Sequence, residues 1–503
     1  MWVHCELLVI LSTLAYALAL LGSAFSPTTS TFSVGLSKRA SSDEGVIRGV
    51  NLGGWLLTEK WITPSLYETD TEDEWHLCAE LGKKRCLSRL EDHWGSFFTR
   101  DDFEEIKSAG LNSLRIPIGY WAVDLQDDEP YVTGQYPYLI RAVYWARELG
   151  LSVLLDLHGA PGSQNGQDNS GLIGQVSFPS NTSNKDRALN VLRNLTEEFT
   201  KEEYGDVVTG IELLNEPRLS DTFTMAELKQ FYTSGAETIW NVSSTMNVTI
   251  HDAFWGPQYW ANYDPTSTST SSTGVTAQHL TLDSHQYYAF EPLNDLPHDV
   301  ILESICNVSK LLKSPNLGIP PTVVGEWSLE TGEVGLILAA ESITDTRGCI
   351  VQHQMLTLIR YAKLPLQGNA PNSTSSSQNR DNSQAKRTWF RLLFESQLAA
   401  YTPNGPNQPS IGWYYWTWKT DYDIDTWSYR RGVKQGYIPS DVSNSSTLAF
   451  PILDDGCVDS SYNYTAPKNP GSGACRVSLT PFSSQPWIYS ALLAGAVAVG
   501  TMF

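Results

Sequence analysis

Residues 137–158 read PYLIRAVYWARELGLSVLLDLH, and two periodicities meet inside them. As far as Leu149 the stretch is amphipathic and of helical length. Pro137 stands where a helix start tolerates a missing N–H, and Gly150 where a helix end favours a left-handed residue. Residues 152–158 then form a nearly continuous apolar run that includes Asp156 and ends in His158. Such a run suits a parallel strand covered on both faces. The same couple recurs in both directions. Strands are predicted at 48–52, 113–118, 152–158, 207–215, 247–254, 281–287, 322–327 and 410–418, and helices at 102–109, 137–149, 187–203, 225–240 and 386–400. Eight strands alternating with helices over about 400 residues imply an α/β fold, a (β/α)8 TIM barrel with long loops.

Composition bounds what such a barrel does. The chain has 503 residues, 34 of them Lys or Arg against 55 Asp or Glu, for a net charge of −21. Hydrophobic residues at 41% and charged residues at 18% suffice for a large core and exclude disorder throughout. The negative charge repels phosphate backbones, so nucleic acid is not an expected partner, and it disfavours acidic polysaccharides. The 17 Trp, 23 Tyr and 16 Phe offer flat apolar faces, suited to neutral sugar rings as well as to core packing. None of the 7 cysteines forms a CxxC pair, so no metal site of the zinc type is expected. Proximity pairs Cys78 with Cys86 and Cys457 with Cys475.

The ends carry processing signals. Residues 1–24 hold an apolar run from Leu7 to Leu21 followed by Gly22, Ser23 and Ala24, which reads as a secretory signal peptide. A signal anchor is the alternative, because no Lys or Arg precedes the run. Residues 25–39 form a pro-segment ending in Lys38-Arg39. Asn-x-Ser/Thr sequons at Asn181, Asn194, Asn241, Asn247, Asn307, Asn372, Asn444 and Asn463 fit a secreted glycoprotein with disulfides. The catalytic span is assigned to 40–440 and a Ser/Pro/Gly-rich tail to 441–480. Residues 481–503, apolar and uncharged from Trp487 onward, resemble a GPI-attachment signal, with a tail anchor as the alternative. The expected location is outside the cell, at its surface or wall, with the membrane engaged only through that anchor.

Polar groups sit at the ends of seven predicted strands: Asn51 leading to Glu59, Arg115, Asp156 with His158, Asn215 with Glu216, His251 with Asp252, His285 with Tyr287, and Glu326. The eighth carries Trp413, Trp416 and Trp418. A barrel gathers its active site at those ends, and packing alone does not require such a rim. Glu216 lies in GIELLNEP and Glu326 in TVVGEWS. Two carboxylates across a barrel mouth suit glycosidic cleavage, retaining at a separation of about 5–5.5 Å and inverting at about 6.5–9.5 Å. Either Glu alone also reads as a buried ion-pair partner. Asn215 is placed to bond a sugar 2-hydroxyl, Arg115 to keep Glu326 ionised, and Tyr287 to donate to the same carboxylate. Burial is expected to raise the Glu216 pKa, as a general acid needs.

RGVNLGGW (48–55), LRIPIGYW (114–121), DLHGAPGSQNG (156–166), LLNEP (213–217), VGEWS (324–328) and GWYYWTWK (412–419) together resemble the fungal exo-β-1,3-glucanase branch of family-5 glycoside hydrolases. The resemblance covers roughly residues 45 to 440. It implies a retaining double displacement without metal or cofactor, acting on β-1,3-glucan or its oligosaccharides. By matching position, Glu216 is the acid/base and Glu326 the nucleophile. Arg115, His158, Asn215, His285, Tyr287 and Trp416 match the cleft. Glu59 and Asp168 match positions that hold the terminal glucose hydroxyls, and Phe254 and Phe290 match aromatics beside it. Gln167 departs from the pattern, standing where an aromatic is expected. Residues 333–368 also depart, being either a retained intron or a genuine extra helix on the barrel.

The expected activity is that of a monomeric glucan exo-1,3-β-glucosidase, releasing glucose from non-reducing ends or transferring it. The alternatives are an endo-β-glucanase with 1,6 or 1,4 preference, and a wall-glucan-binding protein without catalysis. Trp55, Trp121, Trp255, Trp327, Trp413, Trp416 and Trp418 follow or sit in the strand motifs, and part of the tryptophan count is therefore expected in the sugar cleft.

Overall fold

A computed structural model describes residues 45–466, except 68–69, 222, 267–278, 291, 295, 332–383, 454 and 465. The leader and pro-segment, the anomalous 333–368 stretch and the C-terminal signal lie outside the described residues. Eight parallel strands close into a barrel in sequence order: β1 Ile47–Asn51, β2 Ser113–Gly119, β3 Ser152–Gly159, β4 Val208–Glu212, β5 Asn247–His251, β6 Leu280–Tyr288, β7 Thr322–Thr331 and β8 Ser410–Tyr415. All eight predicted strands exist, although β1 ends one residue early and three others by three residues. β4 stops at Glu212, β5 at His251 and β8 at Tyr415. The residues beyond leave the sheet to build the rim.

Closure needs one pairing between the chain's distant ends. β1 meets β8 in the register Ile47↔Gly412 through Val50↔Tyr415. The backbones come so close there that a Cβ on Gly412 would lie 2.0 Å from the Ile47 carbonyl oxygen, and its φ of +131° also excludes most side chains.

The helices are α1 Glu74–Leu81, α2 Lys83–Ser96, α3 Arg100–Ser108, α4 Tyr136–Leu149, α5 Thr182–Phe199, α6 Met225–Val242, α7 His298–Lys313, α8 Gln384–Tyr401 and α9 Tyr429–Gln435. α4 starts beside Pro137 and ends on Gly150, which is left-handed at φ 63°. Among the described residues no helix is long and apolar enough to cross a membrane. Cys78 and Cys86 are bonded across the break between α1 and α2. The other pairing differs from expectation. Cys457 bonds Cys306 of α7, 151 residues away, because the segment after β8 folds back over the helices. Glu395 of α8 accepts from the Ala449 and Phe450 backbone N–H groups, and Lys313 of α7 donates to the Gly456 carbonyl. Residues 441–466, the start of the expected tail, are thus packed on the barrel's flank.

Candidate active site

The floor of the mouth is built on Arg115, whose side chain is fully buried in β2. Its Nε donates to Glu212 at 2.9 Å. Nη1 donates to Asn51 at 3.1 Å and to Glu326 at 2.9 Å, and Nη2 donates to Asn215 at 2.9 Å and reaches Asp156 at 3.1 Å. Asp283 lies 3.7 Å from Nε. A planar guanidinium with five fixed donors suits this ring of acceptors. Asp283 also accepts from the Gly325 N–H, and a Cβ on Gly325 would sit 1.9 Å from it. The residue before Glu326 is therefore held to glycine by contact.

Glu326 accepts on both oxygens, Oε1 from Arg115 and Oε2 from the Tyr287 hydroxyl at 2.8 Å. Burial raises its pKa, against the opposing pull of His285 and Arg115. Glu216 follows β4 at a left-handed φ of 44°. Its Oε1 lies 2.7 Å from His285 Nδ1, and its Oε2 accepts from Asn169 at 2.7 Å. Here the structure corrects an expectation. Burial pushes Glu216 up, but the hydrogen bond and charge of His285 outweigh it and hold its pKa down to about 2. Burial pushes His285 down in turn, but Glu326, Asp283 and the bond to Glu216 raise it well above the usual histidine range. Both shifts favour a protonated His285 beside an ionised Glu216.

His285 also measures the gap between the carboxylates. Nδ1 is 2.7 Å from Glu216 Oε1 and 3.4 Å from Glu326 Oε2. Laid end to end, these distances place the two oxygens at most about 6.1 Å apart, short of the ~6.5–9.5 Å of an inverting pair.

The other predicted residues surround this pair. His158 Nδ1 meets Asp156 at 2.5 Å, and its ring stacks with Trp416 at 5.5 Å and 9°. Glu59 accepts from the Trp61 indole, but its Oε1 is buried without a hydrogen-bond partner among the described residues. Burial, then the neighbouring Asp168 and Glu326, raise the Glu59 pKa. Burial likewise raises Asp168 to about 6, against backbone N–H donors. Phe254 and Phe290 are exposed, with Phe254 near His285 and Phe290 against Tyr287.

Part of the tryptophan set reaches the mouth, as expected, and the larger part does not. Trp55, Trp121, Trp327, Trp413 and Trp418 are core residues with almost no exposure. The mouth uses Trp416 with Trp61 and Trp427, which cluster with Tyr287, and Trp255 is exposed beside Phe254.

Besides Trp61 and Trp427, four contributors were not singled out from sequence. Glu212 and Asp283 left a signal, a carboxylate inside an apolar strand. Asn169 and Gln164 left none, because their loop reads as ordinary turn chemistry. Gln164 bridges the His158 and Asn215 carbonyls at 2.7 and 2.9 Å.

Glu216, His251 and His285 bring ligand-type atoms within 4.8 Å of one another, as do Glu212, Asp283 and His285. His251 Nδ1 accepts the Ala253 N–H, so its neutral ring carries its proton on Nε2 and has no lone pair free there. Glu212 and Asp283 already face a guanidinium. Both sets are poor cation cradles. A separate cleft of about 730 Å³, lined by Arg85, Arg89, Asp92, Lys419 and Asp421 among others, contains none of the mouth carboxylates.

The model of the cellulase family, glycosyl hydrolase family 5, matches residues 78–344. A probable glucan 1,3-beta-glucosidase A of Aspergillus fumigatus is 36% identical over 404 residues, 80% of this chain and 89% of its own length. A glucan 1,3-beta-glucosidase of Kluyveromyces lactis is 38% identical over 423 residues, 81% and 92% of the two chains. A solved rutinosidase from Aspergillus niger shares the fold, with a TM-score of 0.59 at 20% identity over 78% of this chain and 98% of its own.

Proposed function

The chain belongs to glycosyl hydrolase family 5 and is a glycoside hydrolase, and on that premise we propose that it is a retaining glucan exo-1,3-β-glucosidase. The carrying observation is that both carboxylates approach one ring nitrogen, His285 Nδ1, which keeps Glu216 Oε1 and Glu326 Oε2 within about 6.1 Å of each other. The names of the A. fumigatus and K. lactis relatives support the substrate.

Glu326, bonded on both oxygens, is assigned as nucleophile. Its carboxylate attacks the anomeric carbon as the glycosidic C–O bond breaks, and Glu216 protonates the departing oxygen. Water then gives its proton to Glu216 and displaces the Glu326 ester. The acid's proton waits on His285, 2.7 Å from Glu216 Oε1. A sugar that displaces water from the mouth weakens charge separation between the two and moves the proton onto Glu216. Glu59 and Asp168 accept from hydroxyls of the terminal glucose, which answers the unmet Glu59 oxygen. Aromatic faces at Trp416, Phe254 and Phe290 stack on the sugar's CH surfaces.

The same reading places the enzyme outside the cell, glycosylated and held at the surface by a GPI anchor, working on wall glucan. The leader, sequons and apolar C-terminus support this. The test is product analysis on laminarin. Glucose released first with retained β configuration is expected, whereas inverted α-glucose, or oligosaccharides without glucose, overturns the reading.

A further inference from the structure

The chain leaves β5 through a turn that its residues do not favour. Ala253 and Phe254 have φ of 54° and 61°, and no other two consecutive non-glycine residues among those described are both left-handed. The Trp255 N–H closes the turn on the Asp252 carbonyl at 3.2 Å. Positive φ at both central positions with that bond is the pattern of a type I′ turn, which selects Asn and Gly. A Cβ crowds the backbone in this conformation, so Ala and Phe both carry a cost that Gly would not. Such a conformation persists only where its surroundings over-determine it.

Two buried side chains do so. His251 Nδ1 accepts the Ala253 N–H at 3.0 Å, and Asp252 Oδ1 accepts the Phe254 N–H at 2.8 Å. Burial and the neighbouring His285 lower the His251 pKa to about 3, which keeps the Nδ1 lone pair free for that bond. Asp252 is itself fixed on every side. Its Oδ2 accepts from the Ser284 hydroxyl of β6 at 2.6 Å, and its carbonyl accepts the Trp260 indole N–H at 3.0 Å. Its N–H donates to the Asp283 carbonyl at 2.8 Å. Yet the Phe254 side chain that this apparatus carries is 39% exposed. Core packing does not require an exposed ring on an unfavourable turn.

The ring stands at a definite place in the mouth. It meets His251 edge-on at 4.9 Å and His285 at 6.4 Å. β5 lies between β4, which leads to Glu216, and β6, which carries His285. In the closed barrel it is opposite β1, which leads to Glu59. With the terminal glucose at Glu59, the Phe254 ring stands on the side where Glu216 protonates the departing oxygen. An aromatic face there can stack on the sugar that leaves.

We propose that Asp252, with His251, is a positioning residue that holds the left-handed Ala253–Phe254 pair, and that it sets the Phe254 ring in advance for the leaving-group sugar. The inference rests on the proposed glucosidase activity. A ring ordered before binding loses less freedom when the sugar arrives, so the turn contributes affinity for glucan.

The test is a double-mutant cycle on laminaritriose, with kcat and KM read separately. Asp252→Ala is expected to lower kcat/KM about tenfold, chiefly by raising KM. Asp252→Asn keeps an acceptor for the Phe254 N–H and is expected to recover most of that loss. In a Phe254→Ala background, Asp252→Ala is expected to cost less than about twofold more, because the ring it positions is gone. Losses that multiply in the double variant show that Asp252 does not act through the ring, and overturn the proposal. A lower kcat at unchanged KM, with a lowered thermal midpoint, marks a merely structural carboxylate and also overturns it. If Asp252→Ala fails to fold, Ser284→Ala carries the same cycle, since it frees one Asp252 oxygen without touching the turn. A loss of about threefold that vanishes in the Phe254→Ala background is then expected, and a loss that persists there overturns the proposal. A parent enzyme that cleaves no laminaritriose refutes the proposed activity and the inference with it, whereas an active parent with multiplying losses refutes the inference alone.

Discussion

Asp156, Glu212, Asp283 and Glu326 crowd around one guanidinium, whereas Glu59 and Asp168, a short way up the wall of the same mouth, lean on neutral donors. On the floor, a side chain with no exposure meets acceptors on five strands. On the wall, one Glu59 oxygen has the Trp61 indole and the other has no partner among the described residues. The electrostatics follow. Glu59 and Asp168 are both pushed up by burial, with Asp168 adding to the effect on Glu59. Asp156, Glu212 and Asp283 also each keep a buried oxygen without a hydrogen bond among the described residues, but each of these carboxylates faces the Arg115 charge. Glu59 has one neutral indole instead, and its unmet oxygen in a family of sugar hydrolases is a place for a hydroxyl.

The largest break in this contrast comes from the one floor carboxylate that also reacts. Glu326→Gln keeps the shape and removes the nucleophile, so kcat on an aryl β-glucoside is expected to fall by at least about 10⁴-fold with the circular dichroism spectrum unchanged. Hydrolysis within tenfold of the parent would remove the assignment. Next is Arg115→Met, which leaves the buried carboxylates facing one another. A loss of about 3–5 kcal/mol in urea unfolding is expected. Arg115→Lys should recover only part of it, because an ammonium cannot span the fork-shaped set of acceptors.

The wall should respond in the opposite sense. Because the folded pKa of Asp168 is raised to about 6, the folded state holds a proton that the unfolded chain has released. Its contribution to stability is therefore present below about pH 4 and lost as pH rises through 6. The loss is at most about 3 kcal/mol, and less in practice because part of Asp168 remains in water. Asp168→Asn should flatten that slope in urea titrations between pH 4 and 7. In the parent, affinity should move the other way, with kcat/KM falling as pH drops through 6 and the acceptor takes up a proton. The smallest effect is assigned to Glu59→Gln. It should weaken kcat/KM by roughly ten- to a hundredfold, mainly through KM, while leaving stability equal or higher because a like-charge contact is gone. A marked loss of stability would make Glu59 scaffold after all.

The strands were legible because continuous apolar runs ending in polar residues suit few elements besides a buried parallel strand, and the rim followed from them. Other parts were hidden for identifiable reasons. α2 buries Cys86, Leu90, His93 and Trp94, yet six of its fourteen residues are Lys, Arg, Asp or Glu, which mask that spacing. α7 buries Ile301, Ile305 and Leu312 at helical spacing, a pattern obscured by a sequon and a cysteine whose partner lies 151 residues on. Proximity misassigned that disulfide because sequence distance carries no information about a segment that folds back. The tryptophans misled in another way. A ring following a strand can turn inward to the helices or upward to the mouth, and Trp413 and Trp416, three residues apart, do one each. The protonation of Glu216 could not be read from burial alone, because it depends on the position of a ring nitrogen brought from β6.

The seam between β1 and β8 has a consequence for how the molecule is made. Seven of the eight strand pairings join neighbours along the chain, and only this one joins its beginning to its end. During synthesis the first strand therefore emerges long before its second partner exists. Its outer edge offers unpaired N–H and C=O groups throughout that interval. The barrel can close only after Gly412 has been translated, so the last tenth or so of the barrel-forming sequence decides whether everything before it becomes an enzyme. A ribosome that stalls shortly before β8 would release a seven-stranded sheet with two open edges, a species made for aggregation.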